Sequence, residues 1–248
     1  MKLALFSAVA LIALSVPATA QTVSAPIKAA IADPGRPATD TERDAAWHPG
    51  EILAFTGVKP GDKVADFITG GGYWARILSK TVGAKGKVYA YQPEEFIKFS
   101  ADYGVQLKAV TDAYPNVTGS SVSLAAFSFP EPLDAIVTVQ NWHDMHLKMA
   151  PPGFSAVVAK KLYDSLKPGG VFLVVDHVAN ADPDFAAPEA LHRIDPAAAR
   201  GEIEKAGFKF EGPLPLLANP ADPHTASVFD PAIKGKTDQF VFKFRKPK

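Results

Sequence analysis

The chain has 248 residues, 47% of them apolar, which is enough to bury a full core. Lys+Arg and Asp+Glu are equal at 26 each, so there is no global field to draw in nucleic acid, and none is expected as a partner. Cysteine is absent, which excludes disulfides, thiol nucleophiles and thiolate–metal centres.

Residues 1–20 read as a secretory signal: Lys2 gives the basic start, and Leu3 to Val16 is an apolar run shorter than a membrane span. Ala18-Thr19-Ala20 is a small-x-small cleavage site, and no cysteine follows it to take a lipid. The expected location is periplasmic or secreted, with no stable membrane anchor after cleavage. Residues 21–40, rich in Pro, Ala and Thr without period, read as an extended arm. Thr41 to Asp44 opens a polar helix. Ile52, Leu53 and Phe55 recur at helical spacing, and Gly57 stops that helix.

Residues 63–78 hold the organising stretch. Val64, Ala65, Phe67 and Ile68 make a short buried strand, Gly70-Gly71-Gly72 a turn, and Trp74, Ile77 and Leu78 a helix face. Unpaired N–H groups at a helix start beside side-chain-free backbone suit a ligand cradle. The dinucleotide G-x-G-x-x-G pattern is missing, and no Gly-Lys-Ser/Thr follows to make a P-loop.

Lys87 to Tyr91 reads as a second strand, with Gln92 at its end and Pro93 opening a helix. Residues 97–112 are helical in pattern. Val122 to Phe127 reads as a third strand and Leu133 to Val139 as a fourth, with Asn141-Trp142-His143-Asp144 just beyond it. Phe154 to Leu166 is a helix, Lys167-Pro168-Gly169-Gly170 a turn, and Val171 to Asp176 an apolar strand followed by His177. Asp195 caps a helix with Pro196 in its first turn. Phe208 to Leu217 and Gln239 to Phe244 are the last strands. Strand–helix alternation argues for a doubly wound α/β fold, a mostly parallel sheet with helices on both faces, whose ligands bind beyond the carboxyl ends of the strands.

Asn141 to Asp144, His177 and His192 carry the candidate chemistry. His143 is the first candidate for a general base, with His177 and His192 behind it. Trp142 has the ring to stack on adenine or an aromatic acceptor. His143, Asp144, His146 and His177 could also ligate a metal, but no His-x-x-x-His spacing supports this, and no metal is expected.

From about Glu42 to Pro247 the chain resembles the class I S-adenosylmethionine-dependent methyltransferases, and more narrowly an exported bacterial subgroup of predicted methyltransferases. The resemblance rests on Gly70-Gly71-Gly72-Tyr73, Gly86-Lys87-Val88-Tyr89-Ala90, Asn141-Trp142-His143-Asp144, Leu166-Lys167-Pro168-Gly169-Gly170, Asp176-His177 and Leu191-His192-Arg193-Ile194-Asp195. It implies a Rossmann-like seven-stranded sheet with the last strand antiparallel, one domain over 41–248, S-adenosylmethionine as cofactor and a small-molecule acceptor. It further implies cofactor contacts from Asp66, Gly70, Gly71, Gly72, Tyr73, Gln92, Glu94, Asn141 and Trp142. Two positions depart from the pattern: Ile68 stands at the first glycine, and Gln92 stands where an acid usually accepts from the ribose hydroxyls. Those departures leave open a non-catalytic binding protein on the same fold.

Overall fold

The computed structural model describes residues 22–248, so the signal-peptide reading of residues 1–20 lies outside the described residues. Helices α1 (Ala25–Ile31), α2 (Ala38–Thr41), α3 (Asp44–Trp47) and α4 (Pro49–Thr56) precede strand β1 (Lys63–Phe67). Then follow α5 (Tyr73–Val82), β2 (Lys87–Tyr91), α6 (Glu94–Phe99), α7 (Asp102–Ala113), β3 (Val117–Ser120) and β4 (Leu133–Val139). The chain closes with α8 (Phe154–Ser165), β5 (Leu166–His177), α9 (Ala186–Leu191), α10 (Pro196–Lys205), β6 (Lys209–Pro213) and β7 (Gln239–Arg245). Among the described residues no helix is long and apolar enough to cross a membrane.

The strands form one seven-stranded sheet in the order β3-β2-β1-β4-β5-β7-β6. All neighbours pair in parallel except β7, which runs antiparallel to both β5 and β6. The order reverses between β1 and β4, and that switch opens a crevice beyond their carboxyl ends. Period-2 alternation sorts the core onto the two faces. Val171, Leu173 and Val175 of β5 pack with Ile52, Trp74, Ile77 and Val110 on one face, under α1, α4, α5 and α7. Phe172 and Val174 pack with Val158, Leu162, Ile203 and Trp142 on the other, under α8 and α10.

The structure corrects several expectations, among them the strand read over Phe208 to Leu217, which ends at Pro213. The arm expected over residues 21–40 is, in its described part from residue 22, not extended: α1 buries Ile27 and Ala30 in the core that includes α5. A seven-residue helix is marginal in water, so tertiary packing, which composition does not display, stabilises it. Arg36–Asp44, Arg76–Asp40 and Lys80–Asp33 ion pairs fasten the same segment to the domain. The third strand is Val117–Ser120, paired with β2 from Val88↔Val117 to Tyr91↔Ser120, and not Val122 to Phe127. Leu124 and Phe127 are buried from a turn, so their apolar character reports core contact rather than pairing. Lys167 to Gly170 lies within β5 as an irregularity, across which pairing passes from Leu133↔Leu166 to Ala135↔Val171.

Candidate functional site

The turn after β1 is clamped from both neighbouring strands. Gly70 N–H donates to Gln92 Oε1 at 2.7 Å, Thr69 N–H to the Tyr91 carbonyl at 2.9 Å, and Asn141 Nδ2 to the Ile68 carbonyl at 3.2 Å. The backbone turns left-handed at Ile68 (φ 66°), Gly70 (φ 55°) and Gly72 (φ 81°). Glycine accepts this freely, but a β-branched residue does so only under strain, the kind of strain that clusters at ligand sites. A side chain at Gly70 would project into open space, with nothing within 4 Å of its Cβ.

Asp66 is 2% exposed beneath this turn, and its Oδ2 has no hydrogen-bond partner among the described residues. Burial pushes its carboxyl up to about 7, against the opposing pull of the Ala75 backbone N–H. The unfolded carboxyl releases its proton near pH 4. The folded chain therefore holds an extra proton between roughly pH 4 and 7, and its stability falls as pH rises through that window. Asp66→Asn removes this dependence. Unfolding free energies of variant and wild type from urea denaturation across pH 4–8 should diverge in the variant's favour by on the order of 4 kcal/mol. Parallel pH profiles would refute the assignment.

Beyond the carboxyl ends of β4 and β5 lies a cavity of about 510 Å³, within the range of small-molecule sites. Its apolar lining is Phe96, Phe99 and Tyr103 from α6 and α7, with Met149 and Phe229 from later segments. Its polar lining is Glu95, Gln140, Asn141, His143, Asp144, His177 and His192. Gln140 (φ 61°) and His192 (φ 53°) are also left-handed, so strained backbone recurs around the cavity. Arg193, 0% exposed, secures the last loop over it. Its guanidinium donates to Asp222 Oδ2 and to the Val178 and Ala226 carbonyls, each at 2.9 Å, and the same loop carries Val228 and Phe229 to the cavity.

The polar wall is built on Asp176. Its Oδ1 faces His143 Nδ1 at 2.8 Å, and the carboxylate accepts the backbone N–H groups of His143 and His177, each at 2.8 Å. Burial works to lower the His143 pKa, but the Asp176 charge and hydrogen bond outweigh it and raise it to about 9. Asp176 is itself held below the usual carboxylate range, despite full burial, by His143. Burial, opposed by His143, raises Asp144 to about 6. Burial lowers His177 to about 4, and burial and the His143 charge lower His192. Asp176 therefore holds the His143 ring by Nδ1 and favours its charged form.

The sequence-predicted residues separate into two sets. His143, His177, His192 and Asn141 line the cavity together. Gly70, Gly71 and Gly72 form the turn beside it, joined to its wall through Asn141. The others point elsewhere. Trp142 is 1% exposed in the core against Phe172 and does not stack on a ligand. Tyr73 is buried, and its hydroxyl donates to Asp44 at 2.6 Å, away from the turn. Gln92 is fully buried with its carbonyl oxygen committed to Gly70, and Glu94 pairs with Lys98 on the outer side of α6. His146 stacks on Phe185 and meets Glu202 at 2.9 Å, outside the histidine wall. Sequence reasoning missed Glu95, Gln140 and the aromatic side of the cavity. It quoted Asp176 only as part of a motif, although an acid ending a buried apolar strand was a signal.

No family model matches the chain, and no curated protein matches it. Solved structures do. A SAM-dependent methyltransferase from Aquifex aeolicus is 21% identical over 85% of this chain and 98% of that one, with a TM-score of 0.57. A TehB-like SAM-dependent methyltransferase from Corynebacterium glutamicum is 14% identical over 85% and 100%, with a TM-score of 0.53. An arsenic(III) S-adenosylmethionine methyltransferase from Chlamydomonas reinhardtii is 15% identical over 90% and 73%, with a TM-score of 0.52. The chain thus has the Rossmann-like methyltransferase fold.

Proposed function

We propose that the chain is an S-adenosylmethionine-dependent methyltransferase whose acceptor is a small molecule with an apolar body and a polar end. One observation carries this reading: an open glycine turn at the carboxyl end of β1 stands beside a cavity lined by both aromatic and histidine side chains, at the switch point of this sheet. The residues fit the cofactor. Gly70 leaves room for a ligand to touch backbone, and two buried polar atoms, Asp66 Oδ2 and Gln92 Nε2, lack partners at the ends of β1 and β2. When bound, the sulfonium supplies an activated methyl group. The protein's task is then alignment of the acceptor against the polar wall, with water excluded by the aromatic side.

In this reading Gly70, Gly71 and Asn141 keep the cofactor roles that the resemblance implies. The acid for the ribose hydroxyls is Glu95, on the cavity wall, where its carboxylate accepts Leu124 N–H at 3.2 Å and has lone pairs to offer. Gln92, buried under the turn, and Glu94, on the outer face, are not the ribose contact. His143, His177 and His192 are the acceptor end of the site. Export to the periplasm is part of the proposal and rests on the signal pattern of residues 1–20. Fractionation of cells producing the full chain tests it, and a cytoplasmic pool of uncleaved protein would refute it.

Calorimetric titration of S-adenosylmethionine into the purified protein, with chelator present, tests the cofactor. Saturable binding is expected. Glu95→Gln should weaken it by roughly tenfold, the difference between a charged and a neutral hydrogen bond, while Gln92→Glu should bring no gain. Gly70→Val, which fills the open space, should abolish binding. Absence of heat at millimolar ligand, or a Gly70→Val variant that binds as wild type, would overturn the reading.

A further inference from the structure

We propose that the carboxyl ends of β4 and β5 form a site for one divalent transition-metal ion, with His143 Nε2, the Asp144 carboxylate and His192 as ligands. Ligating atoms of these three side chains lie within 4.8 Å of one another. His143 Nε2 and Asp144 Oδ1 are 3.3 Å apart. Two ligands at bonds of about 2.0–2.1 Å in a tetrahedral site stand roughly that far from each other.

The surroundings of the three groups point the same way. Asp176 holds His143 by Nδ1, and is itself held by two backbone N–H groups, so the ring is fixed with Nε2 turned to the cluster. A carboxylate on the far nitrogen is the arrangement that orients metal-binding histidines and raises their basicity. The Asp144 side chain is only 10% exposed, and His143 is its one ionic contact among the described residues. A buried carboxylate so poorly supplied with donors is costly, and a cation satisfies it. His146, His177 and His224 each commit a ring nitrogen, to Glu202, Thr237 and Asp238. His192 makes no side-chain hydrogen bond to a described residue, and its ring stands edge-on to His143 at 5.4 Å between centroids, on a left-handed backbone. Asp144 and the half-buried His192 both border the cavity, so small side-chain rotations close the widest gap.

Two imidazoles and one carboxylate suit zinc, iron(II), cobalt(II), nickel or manganese better than the harder calcium and magnesium. Three protein ligands leave at least one coordination position, and here it faces the cavity, where an oxygen atom of a small molecule would bind. The site falls at the acceptor end proposed above, but it does not depend on the cofactor contacts, since none of its ligands belongs to the glycine turn.

The test is titration of untagged, chelator-stripped protein with zinc(II) by calorimetry and with cobalt(II) by visible absorption, without S-adenosylmethionine. One equivalent should bind, and cobalt should show the intense bands of a four-coordinate site. His192→Ala, at a half-buried position whose loss leaves the core intact, should remove the cobalt spectrum. Asp176→Asn should weaken zinc by about 10–100-fold. Where Asp176→Asn fails to fold, Asp144→Asn serves in its place and should also remove the spectrum. No stoichiometric binding, or one-equivalent binding unchanged in His192→Ala with wild-type melting, would overturn the proposal. Neither result bears on S-adenosylmethionine affinity, which is measured with chelator present.

Discussion

Arg193→Ala is expected to lower the unfolding free energy by about 3–5 kcal/mol, the cost of breaking a buried ion pair from one side. The Arg193 side chain is 0% exposed and that of Asp222 is 1% exposed, so the charge left behind has little water to turn to. The guanidinium also satisfies the Val178 and Ala226 carbonyls, and an alanine leaves those groups short of a donor. Arg193→Lys should recover little, because one ammonium cannot reach three acceptors set around a planar fork. Arg193→Met with Asp222→Asn should recover a sizeable part by removing both charges. Urea denaturation measures all four chains. A loss below about 1 kcal/mol for Arg193→Ala would mean that the pair is not closed to solvent. The same loop carries Val228 and Phe229, which line the cavity, so loss of the pair should also disturb that lining.

Gly72→Ala is expected to cost about 2–5 kcal/mol, the sum of left-handed strain and overpacking. Gly72 sits at φ 81°, and an added Cβ would lie 2.2 Å from Val110 Cγ2, inside any tolerable contact. The neighbouring Gly70 offers the control: it shares the left-handed conformation but has open space at its Cβ, so Gly70→Ala should cost only the strain, about 1–2 kcal/mol. Adding Val110→Ala to Gly72→Ala relieves the clash and leaves the strain and a new cavity. Thermal melts and chemical denaturation of the series separate the two contributions. Equal losses for Gly70→Ala and Gly72→Ala would show that Val110 yields without cost. The two glycines therefore have different physical reasons for being glycine: Gly72 for the packing of α7 on the turn, Gly70 for the space it leaves to a ligand.

Much of this architecture was legible from residue patterns because the relevant physics is local. The runs at Val64 to Ile68 and Leu133 to Val139 both gave central strands, though β1 ends at Phe67 and Ile68 already belongs to the turn. The Asp195-Pro196 pair starts α10 as expected, with the Asp195 carboxylate accepting Ala197 N–H at 2.8 Å. Errors fell where tertiary contact overrides local signal. The residues of α1 have no strong period, and Leu124 and Phe127 look like strand residues while serving the core from a turn. The site divided along the same line. His143, His177 and His192 were readable as chemistry-bearing residues at strand ends or in the late loop, and all three border the cavity. Trp142 was expected to stack on a ligand and Tyr73 to follow the glycine turn's role in the resemblance, and each side chain lies in the core. A one-residue step along a strand end reverses the side-chain direction, and sequence alone does not record which way a loop residue turns.

The sequence by itself determined that the chain alternates strands and helices, and that a glycine turn and a set of histidines fall at the carboxyl edge of the sheet. These follow from backbone sterics and hydrophobic period, which act over a few residues. Only the tertiary structure decided that Asp176 anchors His143, that Asp144 and His192 converge on the same point, and that Glu95 rather than Gln92 faces the cavity. Those facts depend on contacts between segments up to tens of residues apart, and on burial, which shifts charge and fixes side-chain direction only once the sheet has closed around them.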